Sequence, residues 1–332
     1  MYKNGLRILA CVLIVMIVGS VMVFAQGNDE SANNGKTVAA TKLGVSLFYR
    51  RDEFYKDLES GFLVGAAKYG FEINIQDADA DPGRQTQQLE DFIAIGVDVI
   101  AFACSDPEGL IPAVEEANKA NIPVFTFDGG VNGGEVVSFI GMDNFLAGKI
   151  AGEWTRDYIN TELNGNGNVV ILDFPQSAVV CGDRVKGFRS VVDAMPGVEI
   201  VAQQDGKASR TESMSVMENI LTANKKIDVV FGINDDTIFG GAAACEAAGR
   251  DEIAFINVGW SQELFIKLAN DDPYVKAAAV QNPYQMAINA VEAINRMLNG
   301  ETLPSEILQD AILVTKENVN EIGWEEIVAK RK

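Results

Sequence analysis

The sequence contains no histidine, and it has few cationic side chains for its length. Its 332 residues include 27 lysine and arginine residues against 47 aspartate and glutamate residues, a formal net charge of −20. Without histidine there is no Ser-His-Asp or Cys-His catalytic pair, no histidine-ligated metal and no histidine pH switch. The acidic balance argues against nucleic-acid binding, because contacts to phosphates require an excess of lysine and arginine. Common nucleophilic hydrolases and nucleic-acid-binding proteins are therefore disfavoured.

Cysteine is also scarce, with 4 residues in the chain. Cys11 follows a lipobox-like Leu9-Ala10, but the apolar run continues beyond it, which disfavours lipidation there. Cys104, Cys181 and Cys245 lie far apart without the spacing of a metal site, and an odd number cannot all pair internally. We expect Cys104 and Cys245 to be small buried residues, and the sequence predicts no cofactor.

The first 25 residues have the pattern of an export signal. Lys3 and Arg7 precede an uncharged apolar run from Ile8 to Phe24, and small residues lie at Ala25 and two positions before it. We expect cleavage after Ala25 and a periplasmic or otherwise extracytoplasmic location. The alternative is an uncleaved membrane anchor, because a run of this length could just span a bilayer.

Short apolar runs alternate with longer amphipathic stretches after a small, polar segment, residues 26–41, that is typical of a flexible linker. The apolar runs suit strands covered on both faces of a parallel sheet, and they are Leu43–Phe48, Val97–Ala103, Ile122–Phe127, Val169–Phe174, Ile227–Ile233 and Ile253–Val258. The stretches predicted as helices are Glu53–Tyr69, Arg84–Ile95, Pro107–Ala120, Asn144–Ile159, Arg184–Ala194, Arg210–Ala223, Asp236–Ala248 and Pro283–Leu298. This alternation predicts an α/β fold with doubly wound sheets and right-handed crossovers.

The residues that follow the apolar runs indicate binding rather than catalysis. In a doubly wound sheet, ligands bind beyond the carboxyl ends of the strands. There the sequence places carboxylates, amides, one arginine and aromatic rings, which suit the hydroxyl groups and C–H faces of a sugar. No nucleophile there lies beside a base. The enzymatic alternative is a glycosidase with a carboxylate pair, either Asp52 with Asp128 or Asp235 with Asp236.

Six motifs resemble, in the same order, those of ribose- and glucose/galactose-type periplasmic binding proteins. They are Leu43-Gly44-Val45-Ser46 with Asp52-Glu53-Phe54-Tyr55; Ala117-Asn118-Lys119-Ala120-Asn121-Ile122-Pro123-Val124 with Asp128; Gly141-Met142-Asp143-Asn144 with Gly148-Lys149-Ile150-Ala151-Gly152; Arg184-Val185-Lys186-Gly187-Phe188; Phe231-Gly232-Ile233-Asn234-Asp235; and Val280-Gln281-Asn282-Pro283. The resemblance covers residues 42–315. It implies two doubly wound, Rossmann-like lobes joined by three hinge strands. Residues 42–142 plus 282–311 would form the N-terminal lobe, and residues 143–281 plus 312–332 the C-terminal lobe.

The same resemblance implies a function and a set of partners. The chain would be a non-enzymatic, monomeric solute-binding protein that closes on a monosaccharide or related polyol and delivers it to the permease of an ABC importer. The alternative is a ligand-dependent co-receptor for a chemoreceptor or sensor kinase, which the sequence does not separate from transport.

Seven ligand-binding residues follow from the resemblance, position by position. They are the acceptor Asp52, the aromatic residues Phe54 and Tyr55, the first-lobe aspartate Asp128, the second-lobe arginine Arg184, the amide Asn234 and the hinge amide Gln281. Simpler roles stay open for six of them: helix packing for Phe54 and Tyr55, a helix cap or loop position for Asp52 and Asp128, a surface charge for Arg184, and an N-cap for Asn234.

Three positions depart from the family pattern. Gly129 lies where ribose binders have arginine, Gly259 lies at the position of the second-lobe ligand aspartate, and Ala208 lies near that of the second-lobe phenylalanine. Trp260 is a candidate replacement wall for the pocket, with core packing as the equal alternative. We therefore leave the sugar open among hexoses, pentoses and polyols.

A further segment resembles the calcium loop of the glucose/galactose binders. Its oxygen-bearing side chains are Glu162, Asn164, Asn166 and Asn168, with Asp228 as the distant carboxylate. Only two of these are charged, whereas calcium takes six or more oxygen ligands, several of them carboxylates. A metal-free Asn/Gly turn is the preferred interpretation.

Overall fold

The computed structural model describes residues 40–177 and 179–331. The predicted signal peptide, and all but the last two residues of the predicted linker, lie outside the described residues. Within those two ranges, no helix is both long and apolar enough to cross a membrane.

Strands and helices alternate along most of the described chain. In order they are β1 (Lys42–Leu47), α1 (Glu53–Tyr69), β2 (Glu72–Asp77), α2 (Pro82–Ala94), β3 (Val99–Phe102), α3 (Ile111–Lys119), β4 (Val124–Phe127), β5 (Ser138–Met142), α4 (Asn144–Glu162), β6 (Gly167–Asp173), α5 (Val180–Val192), β7 (Val198–Asp205), α6 (Arg210–Ala223), β8 (Val229–Gly232), α7 (Asp235–Ala247), β9 (Ala254–Gly259), α8 (Gln262–Ala269), β10 (Val275–Val280), α9 (Pro283–Leu298), β11 (Glu306–Gln309), β12 (Ile312–Thr315) and α10 (Trp324–Val328).

The strands form two six-stranded sheets, one in each lobe. The first has the order β11-β5-β4-β3-β1-β2 and is parallel throughout. The second has the order β12-β10-β9-β8-β6-β7 and is parallel except for β12, which runs antiparallel to β10. Strand order reverses between β1 and β3 and again between β6 and β8, so each lobe has a switch point where ligands bind in such sheets. The predicted α/β fold with two doubly wound lobes is confirmed.

The chain passes between the two sheets three times. It leaves the first sheet after β5, returns to the first lobe after β10 through Gln281 and Asn282, and crosses again between β11 and β12. Parallel crossings of this kind allow two rigid lobes to rotate about a few residues. The three connections agree with the hinge that the resemblance implies.

Side-chain caps fix the starts of the helices that approach the switch points. Asp52 accepts a hydrogen bond from the backbone N–H of Tyr55 at the start of α1, and Asn234 forms a capping box with Thr237 at the start of α7. The Asn282 side chain caps α9 by accepting a hydrogen bond from the backbone N–H of Gln285, and Pro283 lies in the first turn. The carboxyl ends of the strands therefore lead directly into capped helix starts.

Helices α4 and α5 cross with their backbones in contact. A Cβ atom on Gly148 of α4 would lie 1.8 Å from the Arg184 carbonyl oxygen, and one on Gly187 of α5 would lie 2.0 Å from the Phe145 carbonyl oxygen. Only glycine permits so close an approach at both points. Position 184 is thereby fixed against α4.

Some predicted element boundaries need correction. Helix α5 begins at Val180 rather than Arg184, so Arg184 lies in its second turn, and α3 begins at Ile111 rather than Pro107. Residues 107–110 instead form a turn, in which the Asp106 side chain accepts hydrogen bonds from the backbone N–H groups of Glu108 and Gly109.

Candidate functional site

A cavity of about 610 Å³ lies between the two lobes. It is lined by residues that follow β1, β3, β4, β8, β9 and β10, the strand ends at which the sequence predicts binding. All eight candidate ligand-binding residues line it: Asp52, Phe54, Tyr55, Asp128, Arg184, Asn234, Trp260 and Gln281. The volume suits a small molecule rather than a polymer.

Asp128 follows β4 and is held in an unusual backbone conformation. Its φ of 59° is in the left-handed region, which non-glycine residues adopt rarely. The Tyr55 hydroxyl donates to its Oδ2 at 2.5 Å. Burial raises the pKa of the Asp128 carboxyl, while the hydrogen bond from Tyr55 and the charge of Arg184 oppose that rise. A left-handed backbone costs conformational free energy, and this cost indicates that the Asp128 side chain is required to face the cavity.

Asp52 both caps α1 and lines the cavity, so the cap role left open by the sequence is real but not its only one. Its Oδ1 accepts from the Tyr55 backbone N–H at 3.0 Å. Burial is the largest cause of the raised pKa of this carboxyl and of the raised pKa of the Tyr49 hydroxyl, which also lines the cavity. Tyr49 was missing from the predicted ligand set, although it lies in the segment after β1 that the sequence singled out.

Arg184 is the buried cation of the site, and the surface-charge alternative is wrong because only 5% of the residue is exposed. Its Nε donates to Asn144 Oδ1 at 2.9 Å and its Nη1 to the Ile233 carbonyl at 2.8 Å. Neither acceptor is charged. Burial lowers the pKa of the guanidinium group, and the negative charges of Asp128 and Asp235 oppose that effect. The two neutral hydrogen bonds orient the group and leave donors of its planar fork for a bound molecule.

Asn234 is an N-cap that also contributes to the cavity. Its side-chain oxygen accepts from the Thr237 backbone N–H at 2.9 Å. The oxygen is therefore committed to α7, and the amide NH₂ group is the part of the side chain with donor capacity for a bound molecule.

Asp235 occupies the space that a side chain at position 259 would need. A Cβ atom on Gly259 would lie 1.8 Å from Asp235 Oδ1 and 2.4 Å from Asn257 Nδ2. Asp235 Oδ1 accepts from Asn257 Nδ2 at 2.5 Å and Oδ2 from the Trp260 backbone N–H at 3.2 Å. Burial raises the pKa of this carboxyl to about 6. The second lobe therefore does have a carboxylate at this place, supplied by α7 rather than by the end of β9.

Gly129 and Ala208 are the two other positions that depart from the family pattern, and the structure explains them differently. A Cβ atom on Gly129 would lie 3.0 Å from the Cys104 carbonyl oxygen, so a larger residue would be crowded there. Ala208 does not line the cavity, but Phe239 of α7 does. The second lobe thus has an aromatic ring in the cavity that sequence reasoning missed, because Phe239 is indistinguishable from a core residue of α7 by spacing.

Trp260 combines the two roles left open for it. It lines the cavity, yet it is only 4% exposed and its ring meets Phe265 edge-on at 4.9 Å between centroids. Its indole N–H donates to Asp57 Oδ2 of the first lobe at 2.7 Å. The polar part of this side chain therefore contacts the opposite lobe.

Some of the calcium-loop candidates make hydrogen bonds within the protein. Asp228 Oδ2 accepts from the Asn168 backbone N–H at 2.7 Å, and Asn166 Nδ2 donates to the Asn164 carbonyl at 3.1 Å. Among residues 40–177 and 179–331 no group of three or more carboxylate or cysteine side chains is placed to hold a metal ion. The distant carboxylate Asp228 is therefore held by the protein itself, and the metal-free turn stays a prediction.

Comparison with known proteins agrees with this architecture. The family model described as periplasmic binding protein domain matches residues 43–302 of this sequence. The ribose import binding protein RbsB of Escherichia coli (strain K12) is 30% identical over 284 residues, which are 86% of this chain and 94% of that protein. The galactofuranose-binding protein YtfQ of the same organism is 33% identical over 252 residues, 73% of this chain and 77% of that protein.

Solved structures show the same two-lobed fold. An ABC transporter solute binding protein from Bacillus halodurans C-125, crystallised with bound myo-inositol, is 27% identical with a TM-score of 0.75. The match covers 87% of this chain and 98% of that one. The matched family model, the two relatives and the shared architecture lead to one conclusion. The chain belongs to the periplasmic binding protein domain family.

Proposed function

We propose that this chain is an extracytoplasmic solute-binding protein that holds a monosaccharide or related polyol between its lobes and delivers it to an ABC importer. The observation that carries the proposal is the composition of the cavity. Asp52, Asp128 and Asp235 supply carboxylate acceptors, and Arg184 supplies the buried donor. Vicinal hydroxyl groups donate to such carboxylates and accept from a guanidinium group.

Aromatic rings complete a site for the apolar face of a sugar. Phe54, Tyr55 and Tyr49 lie on the first-lobe side, and Phe239 lies on the second-lobe side. The Tyr49 and Tyr55 ring centroids are 4.9 Å apart and those of Phe54 and Tyr55 are 5.3 Å apart, so the first-lobe wall is continuous. The relatives named above are a ribose import binding protein, a galactofuranose-binding protein and a solute binding protein crystallised with myo-inositol, which supports a sugar or cyclic polyol of similar size.

We propose that binding occurs without catalysis. Cys104 lines the cavity, but burial raises the pKa of its thiol to about 11, which keeps it in the weakly nucleophilic protonated form. Of the carboxylates suggested for a glycosidase, Asp128 is hydrogen-bonded to Tyr55 and Asp236 is paired with Arg210. Incubation with aryl glycosides and with the bound sugar should yield no product by mass spectrometry.

A thermal-shift screen tests the binding proposal directly. Pentoses, hexoses, furanosides and inositols are each added to the purified mature chain, and a ligand that binds the native state raises the melting temperature. We expect at least one sugar or polyol to do so, with calorimetric confirmation of one site per chain. The absence of a shift with every member of the panel would contradict the proposal.

The predicted boundaries and partners belong to the same proposal. Sheet membership supports an N-terminal lobe of 42–142 plus 282–311 and a C-terminal lobe of 143–281 plus 312–332. N-terminal sequencing of exported protein tests cleavage after Ala25, light scattering tests the monomer, and co-purification tests the permease. The co-receptor alternative stays a prediction with no observation specific to it.

A further inference from the structure

The most buried carboxylate of α1 is bound by the opposite lobe. Asp57 has a relative exposure of 0% and lies one turn after Glu53, the first residue of the helix. Arg331 donates to it from Nε at 2.6 Å and from Nη2 at 2.8 Å, and the Trp260 indole N–H donates at 2.7 Å. A buried carboxylate needs such donors, because an unpaired charge is strongly disfavoured where water is excluded.

The donors belong to the second lobe and its C-terminal tail. Trp260 follows β9 and packs on Phe265 of α8, and Phe265 in turn stacks on Trp324 of α10 at 5.5 Å between centroids. Arg331 follows α10. The donor groups are therefore part of one packed unit that faces α1 across the boundary between the lobes.

A second acidic residue of α1 strengthens the same contact. Glu53 Oε2 accepts from the Gln262 backbone N–H at 2.6 Å and lies 3.2 Å from Arg331 Nη1. The Lys330 ammonium group lies 4.9 Å from the centre of the Tyr284 ring of α9, a first-lobe helix. The tail thus contacts two helices of the first lobe.

We propose that Asp57, Trp260 and Arg331 form an interlobe latch that sets the affinity for the cargo by favouring closure. Asp57 and Arg331 do not line the cavity and are positioning residues, and the Trp260 indole N–H acts in the latch through its bond to Asp57. The first turn of α1 carries the cavity residues Phe54 and Tyr55, and the next turn carries Asp57. Closure that brings the cavity walls together therefore also forms the latch contacts. The free energy of these contacts stabilises the closed form relative to the open form.

The latch contacts form whenever the lobes meet, because each joins one protein group to another. They favour closure both with and without cargo. The inference uses the proposed function only for its affinity readout. Small-angle scattering of the cargo-free chain tests the latch by itself.

The decisive variant is Arg331→Met, which keeps the aliphatic volume but removes the charge. In the closed form it leaves the Asp57 carboxylate buried with only the indole donor, so the population should shift towards the open form. We expect a larger radius of gyration for the cargo-free variant than for the wild type, and about a tenfold or greater loss of cargo affinity, mostly as faster dissociation.

A double variant separates a latch from a general loss of stability. Asp57→Leu with Arg331→Met removes both charges, and it should recover compactness and much of the affinity that Arg331→Met loses. Arg250→Met is the matched control, because Arg250 pairs with Glu252 inside the second lobe, and it should change neither quantity. Equal scattering and equal affinity of Arg331→Met and the wild type would overturn the latch. A sugar panel without a hit would overturn only the proposed function.

Discussion

At the scale of single residues, three carboxylates and one guanidinium group share a cavity that excludes much of the solvent. Burial raises the pKa of Asp52, Asp128 and Asp235 and lowers that of Arg184. An ionised carboxylate can accept about four hydrogen bonds. The Tyr55 and Asn257 donors leave acceptor sites on these groups for the hydroxyls of a cargo.

We predict that Asp128→Asn weakens cargo binding at least about tenfold, or about 1.4 kcal/mol. The amide keeps the shape and can still accept from Tyr55, but it loses the charge that strengthens hydrogen bonds from the cargo. The melting temperature without cargo should change little, because asparagine tolerates the left-handed backbone at this position. Calorimetric titration measures the affinity.

Asp271→Asn is the control for this substitution. Asp271 also has a positive φ, 52°, but it lies outside the cavity and pairs with Lys316 at the surface. Its variant should bind cargo like the wild type. Retained affinity in Asp128→Asn would remove Asp128 from the site.

The titration of Asp235 gives a second prediction at this scale. Its folded-state pKa is about 6, above the value of about 3.9 for an exposed aspartate. Between these values the folded chain holds a proton that the unfolded chain has released. The stability contribution is therefore full below about pH 4 and is lost as the pH rises through about 6.

The melting temperature of Asp235→Asn, measured relative to the wild type, should consequently rise between about pH 4 and pH 7. Asp52 and Asp128 titrate in both proteins, so their effects cancel in the difference. A difference that stays constant over this range would show that Asp235 is not the titrating group.

At the scale of elements, the contact between α4 and α5 holds the arginine of the site in place. Gly148→Ala would put a Cβ atom into the Arg184 carbonyl oxygen, so the helices must separate. We predict a loss of about 1–3 kcal/mol in unfolding free energy, together with weaker cargo binding as Arg184 and Asn144 move. Chemical denaturation and titration measure the two effects.

Gly182→Ala on α5 is the control for that contact. The nearest atom to its added Cβ would be the Ser177 carbonyl oxygen at 4.0 Å, an ordinary contact. Alanine should be neutral or stabilise the helix by up to about 1 kcal/mol. Equal effects of the two substitutions would mean that the close approach of the helices is not what places Arg184.

The sequence predicted elements best where they are long or wholly apolar. Helices α1, α6 and α9 begin and end where predicted, since periodic apolar faces are local features and side chains also cap α1 and α9. It did not identify six strands: the sheet-edge strands β2, β7, β11 and β12, the inner strand β5, and β10, in which three of the six residues are alanine. Their strand character depends on neighbours distant in sequence.

The parts of the site that local sequence features determine were predicted, and the parts that depend on contacts between distant residues were missed. Motif order predicted seven of the eight candidate residues around the cavity and the end of a strand predicted Trp260, because strand ends determine where those residues lie. Asp235 fills the space of a side chain at position 259 only because α7 packs against β9. The Asp57–Arg331 contact joins residues 274 positions apart. No local pattern encodes either contact.

At the scale of the whole molecule, both lobes contribute walls to the same cavity, so a bound cargo contacts both of them. We predict that a cargo identified by the thermal screen lowers the radius of gyration in small-angle scattering, since it favours the closed form. Asp128→Asn at the same cargo concentration should show a smaller change. An unchanged profile in the wild type would indicate a preformed cavity without lobe rotation.

The position of Trp260 between the lobes has an optical consequence. Of the three tryptophans in the chain, Trp154 stacks on Tyr158 and Trp324 on Phe265, both within the second lobe, whereas the Trp260 indole is buried against Asp57 of the first. Separation of the lobes would remove the Asp57 acceptor from the Trp260 indole and let water reach it, which should shift its fluorescence emission to longer wavelength. With Trp154 and Trp324 replaced by phenylalanine, the protein would report each capture and release through its own intrinsic fluorophore, as a sensor without an attached dye.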